Sequence, residues 1–182
     1  MADLNAEPHP RFWHSAVSMQ GKVYVRGGSS SNFDTDDGKR VLATTIEEYD
    51  PINHAWHQLI TAGAFHPGLS AVACTSFGDH LYAYGGSDGI ELHAVLSQLD
   101  IKTLIWTRLS SETADGPMRK DASGMVYFDS NKLAVIGGYA DPSGSVQKGS
   151  TFVLNEFFND GSGWSNEFHI FEMKSGNANN VS

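Results

Sequence analysis

The chain carries 8 histidines, 21 acidic residues and one cysteine, and the spacing of such side chains decides what chemistry is open to it. His54 and His57 flank Trp56, but a spacing of three aligns ligands on a helix and not on an extended strand. His9, His14, His66, His80, His93 and His169 are scattered, with neither an HExxH nor a CxxC pattern, so structural or surface roles are expected and no metal centre. The run Asp34-Thr35-Asp36-Asp37-Gly38 opens like a calcium loop. Such a loop needs a carboxylate at its twelfth position, where Thr45 stands, so a solvated loop is expected instead. Serine, histidine and aspartate are all present, yet there is no GxSxG nucleophile elbow and no copper-ligand constellation. The expectation is a chain with no catalytic residues and no cofactor.

Two further residues invite a chemical reading. Cys74 cannot form an internal disulfide, and its surroundings (Ser70-Ala-Val-Ala-Cys-Thr-Ser-Phe-Gly78) read as an apolar strand, so a buried, inert thiol is expected. Arg26 stands where the matching positions of the later repeats hold Tyr84 and Ile136. A charge at a half-buried strand site needs a partner, Glu47 or Glu48 or an aromatic face. The net charge of -9 argues against nucleic acid or an anionic membrane as partner, since both select basic surfaces. No apolar run approaches bilayer-spanning length, and the N-terminus lacks the basic and apolar regions of a secretion signal. With a lone cysteine, these features point to the cytoplasm or nucleus.

The elements that position these residues are announced by glycine. Val23–Gly28 reads VYVRGG, Leu81–Gly86 reads LYAYGG and Leu133–Gly138 reads LAVIGG. Before each pair lie two short β-rich runs joined by a polar turn, a hairpin signature. After each comes a variable polar stretch and a further apolar run: Ile46–Asp50, Val95–Asp100 and Phe168–Met173. In the first two units Trp56 follows Asp50, and Trp106 follows Asp100, by six positions. Gly27 to Gly85 is 58 residues and Gly85 to Gly137 is 52. Four strands per unit at a period near 50, with a repeated double glycine, resembles the kelch motif, one blade of a β-propeller.

That resemblance implies an all-β fold: a partial kelch propeller of about three four-stranded antiparallel blades, its ring incomplete. A disordered tail is expected over residues 1–10, blade 1 over 11–60, blade 2 over 61–114, an incomplete blade 3 over 115–176 and a disordered tail over 177–182. Strands are expected at 14–19, 22–27, 45–50 and 55–59, then 69–76, 80–85, 95–100 and 105–109, then 122–128, 132–137, 150–155 and 168–173. The position of the blade Trp falls on Ala178 in the third unit. Gly27, Gly28, Gly85, Gly86, Gly137, Gly138, Tyr49, Trp56 and Trp106 are structural motif residues, with both tryptophans packed between blades. A ring left open implies either a piece of a longer propeller or completion by another chain.

The third unit, with its long insertion and Gly163-Trp164-Ser-Asn-Glu167, resembles kelch-domain substrate receptors of cullin-RING ubiquitin ligases. The resemblance implies a peptide-binding module that captures C-terminal tails of protein partners, with Tyr139 and Trp164 matching aromatics of that family's pocket. Ala122 stands where the pocket has a lysine and Ser29 where the first blade has a tyrosine. The family's carboxylate-gripping arginines, and the box that docks the cullin adaptor, belong to parts beyond these three units. A kelch scaffold or cytoskeletal or signalling adaptor is the alternative, and a galactose-oxidase-like enzyme the remote one.

Overall fold

A computed structural model describes residues 7–30, 41–64, 68–110, 117–129, 131–140, 154–157, 163–165, 167–174 and 177–181, and every element among them is a β-strand. The first unit holds β1 (Arg11–Phe12), β2 (Ser15–Met19), β3 (Lys22–Arg26), β4 (Ser29–Ser30), β5 (Val41–Leu42), β6 (Ile46–Asp50) and β7 (Ala55–Leu59). The second holds β8 (Ala62–Gly63), β9 (Ala73–Phe77), β10 (His80–Tyr84), β11 (Leu96–Asp100) and β12 (Ile105–Arg108). The third holds β13 (Lys120–Asp121), β14 (Gly124–Phe128), β15 (Lys132–Ile136), β16 (Tyr139–Ala140), β17 (Leu154–Phe157), β18 (Gly163–Ser165), β19 (Phe168–Lys174) and β20 (Asn177–Val181).

Three antiparallel blades result: β2-β3-β6-β7, β9-β10-β11-β12 and β14-β15-β19-β20. Register makes them superimposable, since Arg26↔Ile46, Tyr84↔Leu96 and Ile136↔Phe168 close the same step of the ladder. β8 adds to β12 in parallel, so the chain leaving blade 1 becomes an extra outer strand of blade 2. The acidic residue ending the third strand has a local cause. Asp50 accepts from the amides of Ile52 (2.8 Å) and Asn53 (3.4 Å), and Asp100 from those of Lys102 (2.8 Å) and Thr103 (3.0 Å). Each closes the turn into the fourth strand as an Asx cap, and these amides hold both carboxyls below the usual range.

The glycine pairs answer to the neighbouring blade. Gly27 and Gly85 have φ of 66° and 67°, and an added Cβ would collide with the backbone carbonyl oxygens of Leu69 and Lys120 respectively. The second glycines then bond those carbonyls: Gly28 N–H to Leu69 O at 3.1 Å and Gly86 N–H to Lys120 O at 2.9 Å. A second seam runs through non-glycine residues. Trp13, Ala71 and Ala122 occupy equivalent left-handed positions at φ of 57°, 53° and 51°. The Ala71 amide donates to the Trp13 carbonyl (2.7 Å) and the Ala122 amide to the Ala71 carbonyl (2.8 Å). Because Ala71 breaks the extended chain, β9 begins at Ala73 and not at 69 as the apolar run suggests.

Between blades 1 and 2 lies a core of Met19, Tyr24, Ile46, Leu69, Val72, Leu81, Leu99 and Trp106. Between blades 2 and 3 lies another, built on Tyr82, Tyr84, Leu96, Leu133, Val135 and Phe171. Trp106 is buried and donates its Nε1–H to Thr61 Oγ1 at 3.2 Å. Trp56 is only half-buried, against Tyr49 at 5.0 Å between ring centroids, because no described blade covers that side of blade 1.

The third blade departs from expectation in three ways. It has a fourth strand: Asn177–Val181, expected as a disordered tail, pairs with β19 and completes the sheet. Its register sets Asn180 opposite Phe171, as Trp56 stands opposite Tyr49 and Trp106 opposite Leu99, so Asn180 and not Ala178 holds the tryptophan position. The strand expected at 150–155 is not a member of the blade; Leu154–Phe157 pairs with β18 in a separate sheet, and 150–153 lie outside the described residues. Residues 7–10 are without regular structure, and 1–6 lie outside the described residues.

Candidate functional site

Beyond each glycine pair the chain builds a small second ladder. In blade 1 it is β1-β4-β5, and in blade 3 it is β13-β16-β18-β17. In blade 2 it shrinks to single bridges, Ser70↔Ser87 and Ser87↔Leu92. These ladders anchor the variable segments at their roots, the arrangement by which a rigid scaffold presents recognition residues. The position directly after the glycines is Ser29, Ser87 and Tyr139 in the three blades, and the facing position is Leu42, Leu92 and Trp164. Only the third ladder pairs two aromatics.

Tyr139 on β16 and Trp164 on β18 are direct cross-strand partners. Their rings meet edge to face, centroids 5.7 Å apart at 79°. Trp164 is 49% exposed and Tyr139 half-buried. An aromatic pair so placed offers a large, rigid, amphipathic contact at low entropic cost. In the same small sheet, the ammonium of Lys120 on β13 pairs with the Glu167 carboxylate while both side chains are buried. Burial pushes Lys120 down in pKa against the opposing pull of Glu167. Ser165 Oγ accepts from the Glu167 amide at 3.0 Å. Asp121, the cross-strand neighbour of Tyr139, is pushed up to about 6 by burial. Thus the site sets an exposed aromatic surface beside a carboxyl that is neutral in mild acid and anionic at neutral pH.

Arg26 resolves onto the aromatic alternative. It is buried, its guanidinium 5.3 Å from the Trp106 ring centroid, and desolvation pulls it down to about 10. Glu47 is instead met by Arg11 (3.4 Å) and Glu48 by Lys22 (2.6 Å). Beside Arg26 and Trp106 a cleft of about 170 Å³ opens between blades 1 and 2, lined also by Thr44, Thr45 and Thr61. It is smaller than the roughly 300 Å³ at which ligand pockets begin. Cys74 lies half-buried in the same seam, and burial raises its thiol pKa, so it stays a thiol.

One cluster was not legible in the spacing. His93 Nε2 lies 3.3 Å from Asp88 Oδ2, with Glu91 alongside. Asp88 Oδ1 accepts the amides of Ile90 and Glu91 at 2.8 Å each, and Glu91 pairs with Arg119 at 3.0 Å. These bonds give the three groups a role in closing the loop of blade 2. His54 Nδ1 lies 3.1 Å from the Tyr49 hydroxyl, at the turn into β7. The acidic run at 34–38 lies outside the described residues.

Known proteins resemble this chain along most of its length. The KLHDC2/KLHL20/DRC7 Kelch-repeats domain matches residues 3–138. Kelch domain-containing protein 2 of Bos taurus is 27% identical over 177 residues, 92% of this chain and 43% of that protein. Leucine-zipper-like transcriptional regulator 1 of Homo sapiens is 26% identical over 139 residues, 74% of this chain and 16% of that protein. Kelch repeat and BTB domain-containing protein 12 of Danio rerio is 35% identical over 80 residues, 43% of this chain and 12% of that protein. The chain therefore spans less than half the length of each of these relatives. With three superimposable blades, glycine-paired seams and a family match over 136 of 182 residues (3–138), the chain belongs to the kelch-repeat domain family.

Proposed function

We propose that this kelch-repeat, protein-binding chain takes an extended peptide, the C-terminal tail of a protein partner, on the Tyr139–Trp164 platform, and is not an enzyme. The observation that carries the reading is the edge-to-face aromatic pair, half exposed in the one ladder that offers aromatics at both facing positions. The resemblance of the third unit to ubiquitin-ligase substrate receptors supports the same ligand class and a cytoplasmic or nuclear setting. Affinity is modest in these three blades, since Ala122 and Ser29 replace the polar partners of the receptor pocket. Each absent charge-assisted contact costs about 1.5–3 kcal/mol, roughly tenfold or more in dissociation constant.

The test is a fluorescence-anisotropy titration of a glycine-ended peptide, with its C-terminally amidated twin as control. Weak binding is expected, reduced about tenfold or more by Trp164→Ala, as for an interface aromatic anchor. Binding unchanged in both Trp164→Ala and Tyr139→Ala would remove the platform from the reading. Submicromolar affinity dependent on the free carboxylate would show an anchor other than the one described.

A further inference from the structure

The first seam between blades carries a charge that the second does without. Arg26 and Trp106 meet across blades 1 and 2, and they are only 4% and 5% exposed. Register places Tyr84 and Asn180 at the matching positions of the second seam. Tyr84 is equally buried, and its hydroxyl donates to the Met118 carbonyl at 2.7 Å. The fold therefore joins two blades with uncharged residues at these positions, and the junction does not itself require an arginine. Desolvating a cation is costly, so a seam that keeps one points to a use for it.

The cleft of about 170 Å³ beside this pair has both its walls in the complete first seam. Thr44 and Thr45, which lead into β6, form one side, and Thr61, which leads into β8, lies on the other with Trp106. The volume is close to the roughly 150 Å³ of a cavity that holds one benzene, so it admits a single small group. Among the described residues that line it, Arg26 carries the only charge, in a chain of net charge -9. Side chains alternate along a strand, so Ile46 lines the cleft while Glu47 turns to the other face of β6. There Glu47 is met by Arg11 at 3.4 Å, Thr45 at 2.8 Å and Gln58 at 3.3 Å. Thr61 accepts the Trp106 indole N–H at 3.2 Å, and its own hydroxyl hydrogen remains to be donated.

We propose that this cleft binds a small oxyanion, a phosphate or a carboxylate group, held by the Arg26 guanidinium and the hydroxyls of Thr44 and Thr61. A guanidinium presents five N–H donors in a rigid planar fork that matches the oxygens of such a group. The low dielectric between packed blades strengthens the attraction. Burial pulls Arg26 down to about 10, which leaves it charged at neutral pH. An oxyanion seated there bridges β3 and the approach to β6 on blade 1 to the link that opens blade 2, so its binding tightens the first seam. The site is separate from the Tyr139–Trp164 platform and stands or falls without it.

The test titrates inorganic phosphate into the 182-residue chain, with sodium chloride at matched ionic strength as the control. The reporter is the indole N–H resonance of Trp106, identified by its loss in Trp106→Phe, because that proton is bonded to Thr61. Phosphate should move the resonance saturably and raise the melting temperature, as a ligand of the folded state does, and chloride should do neither. Arg26→Tyr installs the residue of the second seam and should weaken phosphate about tenfold or more, the loss of a charge-assisted contact, while keeping its β-sheet circular dichroism. Thr44→Val should weaken it several-fold, and this variant decides the matter if Arg26→Tyr does not fold. Acetate separates the two sources: a saturable response to acetate as well assigns a carboxylate, and a response to phosphate alone assigns a phosphate. Equal responses to phosphate and chloride would overturn the proposal. So would undiminished phosphate affinity in Thr44→Val or in a folded Arg26→Tyr chain.

Discussion

At the scale of single residues the most consequential group is Asp121, because its carboxyl sits beside the exposed aromatic pair and is held above its ordinary range. A carboxyl whose folded pKa is raised contributes stability that is fully present below its unfolded value of about 4. That contribution disappears as pH rises through about 6. Asp50, Asp79, Asp88 and Asp100 are held low and act in the opposite sense, losing their contribution only as pH falls below about 4. The difference between the unaltered chain and Asp121→Asn therefore isolates the group. Urea midpoints across pH 4 to 8 should show the variant gaining relative stability as pH rises through about 6. Equal pH profiles for the two chains would mean that Asp121 is not desolvated.

At the scale of strands and blades, the two motif tryptophans separate a residue's place in the repeat from its environment. Both stand opposite the same ladder position, yet Trp106 is buried by blade 1, whereas among the described residues Trp56 packs on Tyr49 of its own sheet. Truncating Trp106 to Ala should cost about 3–5 kcal/mol, and Trp56→Ala about half of that, by urea denaturation. Equal losses would mean that Trp56 is covered in solution. The repeat itself was legible: glycine pairs, polar turns and alternating apolar runs fixed ten of the twelve blade strands to within a few residues, because each is a local signal. What escaped were features of pairing. Asn177–Val181 is polar and has no strand pattern of its own, but the edge of β19 recruits it through main-chain bonds. Tyr139 and Trp164 are 25 residues apart, and Lys120 and Glu167 are 47 apart, so only the ladder brings each pair together. A resemblance supplied the two aromatics; nothing in the spacing supplied the buried ion pair of Lys120 and Glu167.

At the scale of the whole molecule, stability is carried by seams between neighbours, as in a one-dimensional array of repeats. A change at one seam should therefore weaken one junction. In Gly85→Ala the new methyl meets the Lys120 carbonyl between blades 2 and 3, whereas Gly78→Ala places it in open space at a hairpin turn. The first should cost about 2–4 kcal/mol and the second about 1 kcal/mol. Hydrogen exchange should show the first loss concentrated in the amides of β15 and β19; uniform loss over all three blades would show that the array melts as a single unit. The seam has a longer reach in another dimension. Its recurring bonds join amides to carbonyls, at Gly28 to Leu69, Gly86 to Lys120, Ala71 to Trp13 and Ala122 to Ala71. Main-chain atoms are the same in every sequence, so the junction survives divergence that erases side-chain likeness, and a gene can copy, reorder or exchange blades without renegotiating how they fit. Selection is then left to act on the turns and ladders at the rim, where one repeat can acquire a tyrosine and a tryptophan while its siblings keep serine and leucine.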